Sequence, residues 1–240
     1  MTKILSMVKA DRSLDRAAFR TYWRDDYLAA LLDVPGVRNG LERIVHNYVL
    51  PSSIRDDPEA EPAEWAGISE MWYADRAAAD AFLASEAVER VARDHAAKLP
   101  LIAHVHCREV PMWDRGGRHD ALKALAFFHA RAGTTREESQ RYWSTDHVVL
   151  GDRLGMALKL SKYVQNHALP DYHAKDPRFD FVGAPELWFN SLDDANSLFT
   201  DQEKVALLAE DEAKFSDRTS SPMMVLEEVV VYAGASGATR

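Results

Sequence analysis

The feature that most constrains this 240-residue chain is an internal repeat. Lys3-Ile4-Leu5-Ser6-Met7-Val8-Lys9-Ala10 aligns with Lys123-Ala124-Leu125-Ala126-Phe127-Phe128-His129-Ala130, an offset of 123 minus 3, or 120 residues. The same offset carries Arg20-Thr21-Tyr22-Trp23-Arg24-Asp25-Asp26-Tyr27 onto Gln140-Arg141-Tyr142-Trp143-Ser144-Thr145-Asp146-His147. With one residue dropped, Ile44-Val45-His46-Asn47-Tyr48-Val49-Leu50-Pro51 matches Tyr163-Val164-Gln165-Asn166-His167-Ala168-Leu169-Pro170. Gly67-Ile68-Ser69-Glu70-Met71-Trp72-Tyr73 then matches Gly183-Ala184-Pro185-Glu186-Leu187-Trp188-Phe189. Matches that keep their order along the chain mark two copies of one supersecondary unit, each needing a partner to bury its apolar face.

Each copy reads β-α-β-β-α-β. Apolar runs at 3–10 and 123–130 are the first strands. A helix follows, started in copy two by the capping-box spacing of Thr135 and Glu138 and in copy one by Ser13 or Asp15. Phe19, Tyr22, Trp23 and Ala30 recur near a 3.6-residue period and form its buried stripe. Second strands cover 42–49 and 161–168, and loops at 51–64 (with Pro51, Pro58 and Pro62) and 170–182 lead to third strands at 68–73 and 184–189. A second helix spans 75–97 in copy one and, capped by Asp193, reaches about 213 in copy two. Fourth strands fall at 102–110 and 223–232. The order predicts an α+β fold: two ferredoxin-like repeats packed sheet to sheet as a pseudo-dimeric α+β barrel. The repeats span 1–112 and 121–233, with a linker at 113–120 around Gly116-Gly117 and a tail at 234–240.

Charge and cysteine content narrow the partners. With 29 basic and 38 acidic residues the net charge is −9, which repels phosphate backbones and anionic membranes, so no nucleic-acid and no membrane partner is expected. No apolar run approaches the roughly 20 residues of a membrane helix, and the N-terminal apolar run is too short for a signal peptide. The single cysteine, Cys107, excludes an internal disulfide and sits in an apolar strand, the pattern of an inert buried thiol. A cytoplasmic protein is expected, either a monomeric pseudo-dimer or a homodimer, with a small-molecule substrate.

Strand alternation divides side chains between two faces. On the third strands Met71, Tyr73, Leu187 and Phe189 suit the helix side, leaving Glu70, Trp72, Glu186 and Trp188 for the interior. On the second strands Val45, Asn47, Val164 and Asn166 are assigned to the helix side. That points Ile44, His46, Tyr48, Tyr163, Gln165 and His167 inward, with Lys9, His104, His106, Arg108, His129 and Glu227 added by the same logic. Burying so many polar groups costs several kcal/mol each unless they are paired or wetted, which suggests a ligand pocket.

Tyr142-Trp143-Ser144-Thr145-Asp146-His147, Tyr163-Val164-Gln165-Asn166-His167, Glu186-Leu187-Trp188-Phe189 and the closing Glu227-Glu228-Val229 resemble an EthD domain of the dimeric α+β barrel superfamily. Copy one departs from the pattern at Tyr27, where the family has histidine, and at Tyr48, where copy two has His167. The resemblance implies membership among aromatic, polyketide and xenobiotic catabolic proteins, with relatives that include cofactor-free isomerases, dehydratases and monooxygenases, and more distant ones that bind haem. It implies acid–base chemistry chiefly in copy two.

The expected function is a cofactor-independent acid/base enzyme, an isomerase, dehydratase or lyase acting on a small aromatic or polyketide-like compound. A cofactor-free monooxygenase or a non-catalytic small-molecule-binding accessory protein is the alternative. His147, Glu186 and His167 are the candidate catalytic groups; Tyr163, Gln165, Trp188, His46, Glu70, Trp72 and His129 are the candidate substrate contacts. Each has a plainer reading: His147 as a histidine favoured by a helix C-terminus, Glu70 and Glu186 as halves of buried ion pairs with Lys9 or Arg108, and the tryptophans as core. His104-x-His106 has chelating spacing but no third ligand fixed by sequence, so no metal site is expected, and no cofactor, haem included. No phosphate-binding glycine loop and no nucleophile elbow occurs.

Overall fold

The structure, a computed structural model, describes residues 1–50, 65–116, 122–217 and 223–234. The proline-bearing loop 51–64, Gly117 and the tail beyond 234 lie outside the described residues. Element order is β1 (Thr2–Lys9), α1 (Arg16–Thr21, continued by a π-turn Tyr22–Tyr27 and by Leu28–Asp33), β2 (Leu41–Val49), β3 (Gly67–Tyr73), α2 (Arg76–Leu83), α3 (Glu86–Asp94) and β4 (Leu101–Asp114). The second copy runs β5 (Lys123–Leu125), β6 (His129–Ala130), α4 (Arg136–Tyr142, a π-turn Trp143–His147, then Val148–Arg153), β7 (Leu160–Ala168), β8 (Gly183–Phe189), α5 (Leu192–Thr200), α6 (Gln202–Glu212), β9 (Ser216–Asp217) and β10 (Met224–Ala233). Eight strands follow one another in the closed order β1-β3-β2-β10-β5-β8-β7-β4, and β6 pairs with β9 as a separate ribbon. This is the α+β barrel class that the repeat implies. No described helix is long and apolar enough to cross a membrane.

The chain divides into two compact units. One holds the described parts of Met1–Val49, Ala63–His106 and Glu228–Arg240, the other those of Leu50–Pro62 and Cys107–Glu227. The last strand of each copy is therefore split: β4 and β10 each give one end to either unit.

In the first unit α1 starts where the Asp15 carboxylate accepts the Ala18 N–H, and stops where Val34 turns extended ahead of Pro35. Its stripe of Phe19, Trp23, Tyr27, Leu28 and Leu31 buries against Ile4, Ile44, Tyr48, Met71 and Tyr73 from the sheet. The predicted helix 75–97 is two helices, because the Ser85 hydroxyl accepts the Val88 N–H and opens a new N-terminus.

In the second unit Thr135 and Glu138 close the capping box that their spacing predicts. Gly155, at φ 80°, turns the chain away after α4, as only glycine does cheaply. Ser191 rather than Asp193 caps α5, and Asp201 caps α6, so the long second helix again becomes two. The first strand of this copy is interrupted: β5 ends at Leu125, and His129–Ala130 pairs with Ser216–Asp217 instead of the main sheet.

The third-strand faces are as expected, but the second-strand faces are reversed. Antiparallel partners share a face, and the register pairs Ile44 with Met71, Tyr163 with Leu187 and Gln165 with Pro185. His46 and His167 thus lie on the helix side, where each packs flat on a helix tryptophan: Trp23 on His46 at 3.7 Å and Trp143 on His167 at 5.0 Å between ring centroids. Val45 and Val164, with Asn47 and Asn166, join Glu70 and Glu186 on the opposite face. Stacking on an indole gives each imidazole a dry, apolar neighbour, which is why a histidine sits where alternation alone would place an aliphatic residue.

Candidate active site

A pocket opens on the helix side of the sheet within the second unit. It is lined by aromatic and apolar side chains, Phe128, Trp143, Met156, Leu187, Leu208 and Phe215 among them, and by the polar groups of Trp113, His147, Tyr163 and Glu212. Counted out past its mouth into open solvent, its empty volume is about 970 Å³.

His147 reaches this pocket because of the π-turn. The wider turn follows Tyr142, keeps Trp143 buried on the sheet and holds His147 over α6. There its Nδ1 lies 2.9 Å from Asp211 Oδ2. The other carboxylate oxygen of Asp211 accepts the Tyr142 hydroxyl at 2.7 Å and the Lys214 ammonium at 3.2 Å. Burial alone would raise the Asp211 carboxyl, but the hydrogen bonds from Tyr142, His147 and Lys214 outweigh it and hold it below the usual carboxylate range. An ionised Asp211 only accepts, so it fixes the proton on His147 Nδ1. Nε2 is left as a basic nitrogen with no hydrogen-bond partner among the described residues, on a ring that lines the pocket.

Tyr163 is tuned the other way. Its hydroxyl oxygen accepts from Gln165 Nε2 at 3.0 Å, which leaves its own proton for a ligand. Burial pushes the phenol upward, against the smaller opposing effect of the Gln165 and Trp143 side chains, so it stays neutral and donates. The chain behind it is ordered by one backbone carbonyl. Trp143 O can only accept, at 3.1 Å, so the Gln165 amide turns its nitrogen there and its oxygen toward His167 Nε2, 2.9 Å away. His167 must then carry its proton on Nε2, and its buried Nδ1 has no partner among the described residues. Burial, and then the charge of Arg108, push His167 down to about 4, so it is neutral.

The candidate residues therefore separate. His147 and Tyr163 meet at the pocket; Gln165 and His167 stand behind Tyr163, fully buried. Glu186 and Trp188 lie on the opposite sheet face, where Lys123 Nζ is 3.8 Å from the carboxylate and 4.7 Å from the indole. In the first unit Glu70 and Trp72 repeat that cluster with Lys3, 2.6 Å from the carboxylate and 4.6 Å from the indole. The lysines are the aligned Lys3 and Lys123 of the two copies, not Lys9 or Arg108. His129 packs on Phe181 at 4.5 Å, away from the pocket lining. His104 and His106 are engaged separately, by Ser6 Oγ at 2.8 Å and by Thr2 Oγ1 at 2.8 Å with Asp80 at 3.1 Å, on the helix side of the first unit.

Sequence reasoning missed Asp211, Trp113 and Glu212. Asp211 carried a signal: it falls three residues after Leu208 and four before Phe215, a carboxylate inside a helix's apolar stripe. The first unit lacks the dyad. Tyr27 stands where His147 does, and the Tyr22 hydroxyl meets His95 Nδ1 at 2.7 Å instead of a carboxylate. Burial raises Tyr27 well above the ordinary phenol range, so it offers no base near neutrality.

No group of three or more His, Cys, Asp or Glu able to hold a metal occurs among the described residues. A haem carries two propionates, and among its described residues the pocket lining offers a carboxylate, Glu212, and no lysine or arginine to receive them. The residues do not fit that group.

An EthD domain model matches residues 11–99 and again 131–219. Among solved structures, the chain is similar to an anthrone oxidase-like protein, at 11% identity over 98% of this chain and 96% of that one, with a TM-score of 0.62. It is also similar to a chlorite dismutase variant from Candidatus Nitrospira defluvii (10% identity, 94% and 91% covered, TM-score 0.51). A third likeness is to a candidate monooxygenase from Fusobacterium nucleatum subsp. nucleatum (9% identity, 98% and 95% covered, TM-score 0.50). At these identities the likeness is one of fold. No curated protein matches the sequence.

Proposed function

Because this chain belongs to the EthD domain family, one copy in each half, we propose that it is an enzyme whose second repeat performs cofactor-independent acid–base chemistry on a small aromatic or polyketide-like compound. The observation that carries this reading is the His147–Asp211 pair, with a basic Nε2 on a ring facing an apolar, aromatic-walled pocket. A positioned imidazole contributes on the order of 10²–10⁴-fold to proton transfer. His147 removes a proton from the ligand and returns it at another atom, which is isomerisation, or hands it to a departing hydroxyl, which is dehydration. Phe128, Trp143 and Phe215 form walls for a flat ring. The first repeat, with Tyr27 and His95 filling the equivalent positions, is structural.

Single-turnover assays on phenolic lactones and anthrones test this. His147→Ala is expected to slow turnover at least 100-fold, whereas an unchanged rate removes His147 from the mechanism. A second reading shares the first step. Deprotonating an anthrone-like phenol gives a carbanion that reacts directly with oxygen, so the same dyad serves a cofactor-free monooxygenase. Oxygen uptake stoichiometric with substrate selects that reading, and its absence selects isomerisation or dehydration. Binding with no turnover by either assay identifies an accessory binding protein.

A further inference from the structure

Strand β4 is irregular at one point, and the irregularity serves the pocket. Arg108 pairs with His167 and Val110 with Gln165, so the next residue on that face would be Met112, opposite Tyr163. A bulge between Pro111 and Trp113 intervenes, and Trp113 takes the place across from Tyr163. Extra residues of this kind re-aim side chains beside functional sites. Pro111, with no N–H to lose from the ladder, suits the bulge.

The re-aimed indole is held on two sides. It meets the Tyr163 ring edge-on at 5.0 Å between centroids, and the Arg115 guanidinium lies 6.0 Å from its centroid. Its Nε1 is buried and has no hydrogen-bond partner among the described residues, although the ring lines the pocket. Buried indole N–H groups normally find an acceptor. Beside it, the Tyr163 hydroxyl accepts from Gln165 and has its proton without an acceptor among the described residues. Two neighbouring donors thus want one acceptor. Among the described lining residues Glu212 is a carboxylate and none is a lysine or arginine, which disfavours an anionic ligand.

We propose that Trp113 Nε1–H and the Tyr163 hydroxyl together hold a carbonyl oxygen, and that the substrate class is an uncharged ketone or enone fused to a flat ring. This rests on the acid–base reading above and narrows it to enolisation. His147 Nε2 takes the proton from the carbon beside the carbonyl. The C–H electron pair becomes the carbon–carbon π bond of the enolate, and the carbonyl π pair moves to oxygen, where the two donors stabilise the charge. The proton returns from His147 to carbon or oxygen. No oxidant or further reactant enters.

The probe is 1-tetralone, with tetralin as the same skeleton lacking oxygen. The wild-type protein is expected to bind tetralone roughly tenfold more tightly than tetralin and to shift its carbonyl infrared stretch to lower frequency. In Trp113→Phe and in Tyr163→Phe the preference shrinks and the stretch moves back toward its value in an apolar solvent. Exchange of the α-hydrogens in deuterium oxide, followed by NMR, reads His147 separately through His147→Gln. An unchanged stretch in Trp113→Phe with tetralone bound overturns the inference, as does equal or absent binding of both compounds by the wild type. His147-independent exchange with a normal carbonyl shift instead sinks the acid–base reading and leaves the carbonyl site standing.

Discussion

Replacing Lys3 by methionine isolates the buried charge cluster of the first unit. Lys3 Nζ lies 2.6 Å from Glu70 Oε2, and both side chains are 1% exposed. The same carboxylate accepts Asn47 Nδ2 at 2.7 Å, on the sheet face away from the helices. Methionine keeps an unbranched aliphatic stem and removes the ammonium, with its approach to the Trp72 ring. Removing one partner of a buried ion pair in a dry setting costs about 3–5 kcal/mol. At about 2–4 °C per kcal/mol for a chain of this size, the melting temperature falls by about 6–20 °C. Lys3→Met/Glu70→Leu removes both charges and is expected to regain most of that loss, since a buried pair and an apolar replacement are often equal in stability. Urea titration of the wild type, both single variants and the double variant closes the cycle. A cost under about 1 kcal/mol for Lys3→Met, or a double variant as unstable as the worse single, refutes a charge pair that is coupled and dry.

Burial pushes His46 down to about 3 and, together with Arg108, His167 down to about 4, so both stay neutral in the folded chain while the unfolded chain protonates them near 6.5. Stability from these groups is therefore intact above about pH 6.5 and falls as pH drops toward 4, by about 1.4 kcal/mol per pH unit for each; the urea midpoint of His46→Gln should fall less steeply than that of wild type over this range, and equal slopes would contradict the reading. Gly183 has no room for a side chain: a Cβ would sit 2.5 Å from the Asn166 carbonyl oxygen and 2.8 Å from Trp143 Cζ3. Gly183→Ala is expected to cost about 1–3 kcal/mol, read as a melting temperature lowered by about 2–12 °C, and a neutral result would mean that Trp143 does not pack there.

The repeat made a good deal of this legible. Gly67 and Gly183 match because Trp23 and Trp143, also matched, press onto them. Lys3 and Lys123 match because each sits beside the matched glutamate and tryptophan of the third strand. What alternation could not give was the absolute facing of the second strands, because His46 and His167 are as polar as Asn47 and Asn166, and only the indole stacks decide between them. Trp113 depends on a bulge, which shifts a register by one residue without a composition signature. Asp211 joins His147 across 64 residues of chain. The copies differ there too, with His95 in the place of the carboxylate, so self-comparison does not bring it forward.

The tautomer of His147 tests the account most directly. In ¹⁵N-histidine-labelled protein at neutral pH, long-range NMR correlations are expected to show the proton on Nδ1 and a bare Nε2, and Asp211→Asn is expected to redistribute it. A proton on Nε2 in the wild type, or a spectrum indifferent to Asp211, would contradict a base prepared by that carboxylate.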